Sequence, residues 1–146
     1  LDDFVTVSIN TAKRASSADY QVRSGETVNY TTSLKQIEYD TTQRTVETIS
    51  VPMTLQANFI TSTGTLECVA QCGSYVVDGS FTGPSINGTI SDGTGTYDLV
   101  NTSFFSGDHA ADHVAGTYTG KKGDFAVAGS FLGFGDPPTS TTSDSE

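Results

Sequence analysis

One five-residue word occurs three times in this chain: Gly79-Ser80-Phe81-Thr82-Gly83, Gly116-Thr117-Tyr118-Thr119-Gly120 and Gly129-Ser130-Phe131-Leu132-Gly133. Residues two apart on a β-strand share a face, so in an extended backbone each ring is flanked on its own side by two residues without side chains. The glycines give the ring room. Repeated along a sheet, the arrangement supports sharp curvature and lets rings cover neighbouring glycines, a device of closed or strongly curved β-structures.

The remainder of the chain agrees. Of its 146 residues 35% are hydrophobic and 16% charged, and Thr, Ser and Gly fill the difference, which favours strands and turns over helices. The clearest strand is Ile49 to Phe59, where Ile49, Val51, Met53, Leu55, Ala57 and Phe59 alternate with polar residues and Pro52. Because Pro52 lacks a ladder donor, its end of the strand belongs at an edge or a bulge. Phe4 to Ile9 reads as a first strand, with Val5, Val7 and Ile9 on one face. Thr11 to Ser17 reads as a polar loop, and Tyr20 to Arg23 and Thr27 to Tyr39 as weaker alternation. Further strands are expected over Thr65–Val69, Tyr75–Phe81, Ile86–Ile90, Thr96–Phe105, Val114–Thr119 and Phe125–Phe134. Short connections make sequence neighbours antiparallel neighbours in space.

The fold class is therefore all-β, a small antiparallel β-barrel of about eight strands with meander connections; a two-sheet sandwich is the alternative. Residues 1–135 form a single barrel domain whose first 36 residues are less regular. Residues 136–146, Pro/Ser/Thr-rich and acidic, read as a flexible tail. On period-two alternation, Ala126, Ala128, Leu132 and Phe134 make the outer face of the last strand apolar, a face that needs cover from a loop or another molecule.

Seven Lys and Arg against seventeen Asp and Glu give a net charge of −10, which excludes a phosphate-neutralising track and with it a nucleic-acid partner. No apolar run approaches the ~20 residues of a membrane-spanning helix. The chain begins at Leu1, which we read as processing with any secretion signal already removed. Cys68 and Cys72 enclose three residues between two strand-like stretches, a tight hairpin loop that suits a disulfide. A reduced pair or half of a metal site are the alternatives, although tetrahedral zinc needs two more ligands that do not occur nearby with matching spacing. A real bridge implies an oxidising compartment.

Asp108-His109-Ala110-Ala111-Asp112-His113 is the one cluster with metal-ligand composition. If that turn is helical, His109 and His113 share a face, as zinc or haem ligation requires, with Asp112 or Asp108 as a third ligand. The plainer reading is a solvated corner whose aspartates hydrogen-bond the turn backbone. Tyr20, Tyr30, Tyr39 and Tyr97 are candidate interface residues, because tyrosine buries a large area with one polar tip; core packing is the alternative for each. Catalysis is not expected: the only histidines are these two, there is no Gly-x-Ser-x-Gly nucleophile turn, and no pair of carboxylates stands out. Gly93-Thr94-Gly95 is too short for a phosphate loop.

The segment Phe104-Phe105-Ser106-Gly107-Asp108-His109-Ala110-Ala111-Asp112-His113-Val114-Ala115-Gly116-Thr117-Tyr118, followed by Phe125 to Gly133, resembles the end of the barrel domain of transferrin-binding-protein-B-like bacterial surface lipoproteins. There, a strand ending in an aromatic-glycine corner passes through an Ala-rich turn and re-enters as a glycine-rich aromatic strand. Glu38-Tyr39-Asp40 through Arg44-Thr45-Val46 is similar to that family's first barrel strand and turn. Ser106, Asp108 and the Cys68–Cys72 loop depart from the pattern, and the chain is too short for two barrel-and-handle lobes. The resemblance implies a barrel scaffold exposed at the bacterial surface or outer membrane, with the periplasm as the alternative location, and binding through variable loops. The expected function is thus non-enzymatic capture of a ligand such as haem, or of a host or partner protein. Ser62–Gly64, the cysteine tip and the Asp108–His113 corner would supply specificity, and no resident cofactor is expected beyond haem or zinc. The alternative is a structural or adhesive subunit of an extracellular assembly, joined by strand pairing between copies.

Overall fold

The computed structural model describes residues 13–83 and 85–138. The Phe4–Ile9 stretch, expected to form a first strand, and residues 139–146 of the expected tail lie outside the described residues. In chain order the elements are β1 (Lys13–Arg14), α1 (Ser17–Arg23), β2 (Thr27–Asp40), β3 (Thr45–Phe59), β4 (Thr63–Ala70), β5 (Val76–Thr82), β6 (Ser85–Ser91), β7 (Thr96–Asp98), β8 (Val100–Ser106), β9 (His113–Lys122) and β10 (Phe125–Gly135). The strands form one sheet in the order β1-β8-β9-β10-β2-β3-β4-β5-β6-β7. Pairing of β6 with β8, through Ser85↔Ser103 and Ile86↔Thr102, closes eight of them into an antiparallel barrel and leaves β1 and β7 as additions. The architecture is therefore the barrel and not the sandwich, and closure removes most of the free edges that a Thr- and Val-rich sheet would otherwise present.

Register explains the repeated word. β9 and β10 pair so that Gly116 lies opposite Phe131 and Tyr118 opposite Gly129. Each ring lies over the other strand's glycine: a Cβ added to Gly116 would come within 2.7 Å of Phe131 Cζ, and one added to Gly129 would run into the Tyr118 ring. The same relation joins Phe81 on β5 to Gly64 on β4, and Tyr30 on β2 to Gly135 on β10. The rings point inward with Leu34, Leu55, Leu66, Ile90 and Val114, and fill the barrel with side chains. Tyr20, Tyr30, Phe59, Phe81 and Phe104 form one cluster, with neighbouring ring centroids 4.9–6.2 Å apart.

Three local readings change. Tyr20–Arg23 is the end of a helix, not a strand, because Ser16 and Asp19 form a capping box: the Asp19 amide donates to Ser16 Oγ and the Ser16 amide to Asp19 Oδ2 at 2.8 Å. Tyr20 and Arg23, three residues apart on one helical face, both turn into the barrel end and are 1% exposed. Second, the expected strand Thr96–Phe105 is divided at Leu99, whose amide donates to Gly88 O at 2.9 Å. Asn101, with a left-handed φ of 51°, lies where the ladder shifts register between Val100 and Ser103. This bulge lets inward Tyr97 and inward Thr102 and Phe104 belong to one path despite their opposite parity. Third, the β9–β10 connection is shorter than the Gly120–Asp124 loop expected, since both strands run on to Lys122 and Phe125.

The helix end of the barrel carries α1, the β3–β4 turn and the 107–112 corner. The hairpin end carries the 41–44 turn, the cysteine loop, the 92–95 turn and the β9–β10 turn. At the start of the tail, Asp136–Pro138 stay against the helix end: Pro138 is buried and the Asp136 carbonyl accepts from Arg23 at 2.6 Å. On the outer wall Ala128 is buried between Thr119 and Ile37 of the flanking strands, Leu132 is half-buried, and Phe134 is exposed. Gly116→Ala and Gly129→Ala are each expected to lower stability by about 1–3 kcal/mol, the usual cost of forcing an extra methyl into a packed core. Urea unfolding followed by tyrosine fluorescence measures it, and an unchanged midpoint in both variants would refute the ring-over-glycine packing.

Candidate functional site

The inward alternation of β2 runs Val28, Tyr30, Thr32 and Leu34, then turns polar at Gln36 and Glu38; that of β9 runs Val114, Gly116, Tyr118 and Gly120 and ends on Lys122. These late inward positions meet Asp92, from the turn after β6, across the hairpin end. Lys122 Nζ donates to Glu38 Oε2 at 2.7 Å and to Asp92 Oδ2 at 3.0 Å. Gln36 Nε2 donates to the same two oxygens at 2.8 and 3.1 Å, while Gln36 Oε1 accepts from the Tyr118 and Tyr75 hydroxyls at 2.6 and 3.1 Å. Asp92 Oδ1 takes the Thr94 and Gly95 amides at 2.9 and 2.8 Å, and Oδ2 also accepts from Tyr97 at 3.3 Å.

Electrostatically this is a sealed lid. Burial by itself would raise the Asp92 carboxyl, but the two turn amides, the Gln36 amide and the Lys122 ammonium outweigh it and hold the group well below the ordinary carboxylate range. Burial likewise opposes the charge on Lys122, and its bonds to Glu38 and Asp92 overcome that and raise the ammonium's pKa. A lysine so held is no nucleophile. Burial pushes the Tyr97 hydroxyl up to about 12, with Asp92 adding to the effect, so Tyr97 is a neutral donor at 4% exposure. Tyr97 therefore does not act as the exposed interface residue proposed from sequence, and Tyr20 and Tyr30 are likewise core rings; Tyr39 is half-buried.

At the helix end, the Asp108–His113 cluster is a bend followed by the first residue of β9, so the helical condition that would align His109 and His113 is not met. Asp112 organises the bend. Its Oδ1 accepts the Gly107 amide at 2.8 Å and faces His113 Nδ1 at 2.7 Å, and its Oδ2 accepts the His109 amide at 3.0 Å. Burial would raise this carboxyl, but the Gly107 and His109 amides and then His113 lower it. His109 and Asp108 are exposed, and His113 packs edge-on against Phe134 at 4.7 Å. Among the described residues, no three His, Cys, Asp or Glu side chains converge on a metal position. Arg23, which sequence reasoning passed over, ties this end together by donating to the carbonyls of Ala110 and Asp136 at 2.7 and 2.6 Å and to Glu26 at 3.1 Å. Beside it, Ser17, Tyr20, Gln21, Ser24, Thr61 and Ser62 line a shallow polar groove of about 440 Å³.

Cys68 and Cys72 are joined, with Sγ atoms 2.06 Å apart. The three loops expected to supply specificity stand at different ends: the cysteine tip lies at the hairpin end, and the Ser62–Gly64 turn and Asp108–His113 corner at the other. Around the hairpin end Val46 and Val76 at 61% and Val69 at 45% are open to solvent; Val100 at 45% lies on the wall opposite Thr117, and Ile60 at 66% and Phe134 at 56% are open at the helix end. Val69 and Val76 flank the disulfide loop. No protein-family model matches the chain, and no curated protein matches it.

Because Asp92 and Asp112 have depressed pKa values when folded, their contribution is complete above the ordinary carboxylate range and is lost as pH falls through and below about 4. Stability measured by urea unfolding should decline there, and Asp92→Asn should flatten that limb; an identical acid limb in the variant would contradict the assignment. Lys122→Met should cost about 3 kcal/mol, since it strands two buried carboxylates without a cation. The disulfide closes so short a loop that Cys68→Ser with Cys72→Ser should cost only about 2 kcal/mol and leave the barrel folded, as checked by circular dichroism.

Proposed function

We propose that this chain is a non-enzymatic binding module, exported to the bacterial surface, that captures a partner protein with the rim at its hairpin end. The observation that carries the reading is apolar surface left free beside a disulfide-stiffened loop. The interior is packed with rings and aliphatic side chains and the hairpin end is closed by paired polar groups, so a ligand finds no empty barrel to enter. Three exposed valines, by contrast, stand at the hairpin end, two of them beside a disulfide-stiffened loop, whereas exposed Ile60 and Phe134 at the helix end have no such loop beside them. A pre-ordered loop loses less conformational entropy on binding than a floppy one, and apolar tips in a polar rim suit a protein surface.

The resemblance to the barrel domain of transferrin-binding-protein-B-like lipoproteins supports the same class, a rigid scaffold whose loops choose the partner. Two tied lysine–carboxylate pairs and two histidines without an activated nucleophile give no support to catalysis.

Immobilised protein is expected to retain a discrete partner from host plasma, and Val69→Asp with Val76→Asp to abolish retention while the melting temperature stays within a few degrees. Retention unaffected by both substitutions would overturn the rim as the binding surface. A haemin titration provides the contrasting arm: a Soret shift removed by His109→Ala would move the reading to haem capture at the opposite end.

A further inference from the structure

β3 is fifteen residues long, and all but its last residue pairs with β2, from Thr45↔Asp40 to Asn58↔Thr27. Its pairing with β4 is shorter. That ladder begins only at Thr54↔Ala70, so Thr45–Met53 presents an edge with no β4 partner, and no other described strand takes its place. Pro52 and the exposed Glu47 are its only guards of the kind that natural edges use against pairing. On the barrel-facing side of this edge Ile49 and Val51 are half-exposed, although Val51 already packs against the core. A ninth strand laid along the edge with apolar residues at alternate positions would complete their burial.

We infer that this edge receives residues Phe4–Ile9 of a second copy of the chain, which joins molecules head to tail by strand addition. The inference is independent of the capture reading. Three observations select that occupant. The segment Phe4-Val5-Thr6-Val7-Ser8-Ile9 has the period-two pattern the edge lacks, with Val5, Val7 and Ile9 able to face Ile49, Val51 and Met53. Its length, six residues, fits within the nine from Thr45 to Met53.

The third observation is reach. Lys13 is anchored at the helix end, opposite Ser106 of β8, and Phe105 is paired with His113 on its β9 side, so β1 lies on the β6 side of β8. From there the free edge of β3 is three strand positions around the wall, about 14 Å, and half a strand away along it, about 20 Å from Phe59 to Met53. Four residue-to-residue steps join Ile9 to Lys13 and span at most about 13 Å. Ile9 therefore cannot reach the edge of its own molecule, whereas a neighbour's segment can. Because donor and acceptor are different surfaces, the contact is heterologous and propagates as a filament, or closes as a ring if the rotation allows.

The test uses the full chain, the full-length variant Val5→Asp/Val7→Asp and a peptide of residues 1–12. Those substitutions lie outside the described barrel, and an unchanged thermal transition verifies that folding is intact. Sedimentation velocity across a concentration series should show the wild-type chain growing to two or more times its monomer mass, and the variant remaining monomeric. Added to the variant, the peptide should slow amide hydrogen exchange within residues 45–53 and leave the β4-paired half, residues 54–59, unchanged. A wild-type chain that stays monomeric at its highest soluble concentration, or a peptide that leaves the 45–53 amides unprotected, overturns the inference.

Discussion

The reciprocal seating of Phe131 over Gly116 and Tyr118 over Gly129 is the contact on which the barrel most depends. Two neighbouring strands each supply a ring and a gap, so both rings lie against backbone where a side chain would hold them off. Curvature and core filling then come from the same residues. Any Cβ at those glycines would force apart a wall that also closes against β2, because β10 pairs with β9 on one side and β2 on the other.

Rings fill the middle and the helix end, but they cannot seal a mouth that faces water. Each end is finished with a network of polar groups that partner one another, although the Tyr20 hydroxyl, buried at the helix end, has no hydrogen-bond partner among the described residues. At the hairpin end Gln36 mediates between two tyrosine hydroxyls and two carboxylates, and Lys122 balances the carboxylates. At the helix end the Arg23 guanidinium gathers carbonyls from the 107–112 corner and the exit of β10, while Tyr30 donates to Ala111 O at 2.6 Å. Buried charge with complete partners gives a rigid, well-defined closure, and reactivity is the property it lacks. The surfaces left open are the loops, the rims and the half of β3 that β4 does not cover.

Much of the framework was legible in the residues. Period two marked β3, β5, β9 and β10 with their inward faces, Pro52 marked the stretch of β3 that β4 does not cover, and Cys68–Cys72 marked a bridged hairpin. What escaped had weak local signals. α1 is seven residues long, and its one cue, Ser16-x-x-Asp19, competes with an alternating stretch. The bulge at Asn101 adds a residue that periodicity counting cannot place. Tyr97 was open to either an interface or a core role, because periodicity does not fix the face of a strand broken at Leu99; it stacks on Tyr118 at 5.6 Å. Gln36, Glu38 and Lys122 could have been noticed as polar residues at inward positions near strand ends, a pattern that costs too much to occur without partners.

By itself the sequence determined an all-β antiparallel fold with a strongly curved sheet, since alternation and ring-glycine spacing are properties of neighbouring residues along one strand; that the sheet closes as a barrel and does not split into a sandwich was decided by the β6–β8 pairing. Only the tertiary structure decided which ring meets which glycine, that Lys122 finds Glu38 and Asp92 from 84 and 30 residues away, and that the cysteine tip and the histidine corner stand at opposite ends. Those outcomes depend on register and barrel closure. Both are set by the packing of all eight strands at once, and no window of the sequence contains them.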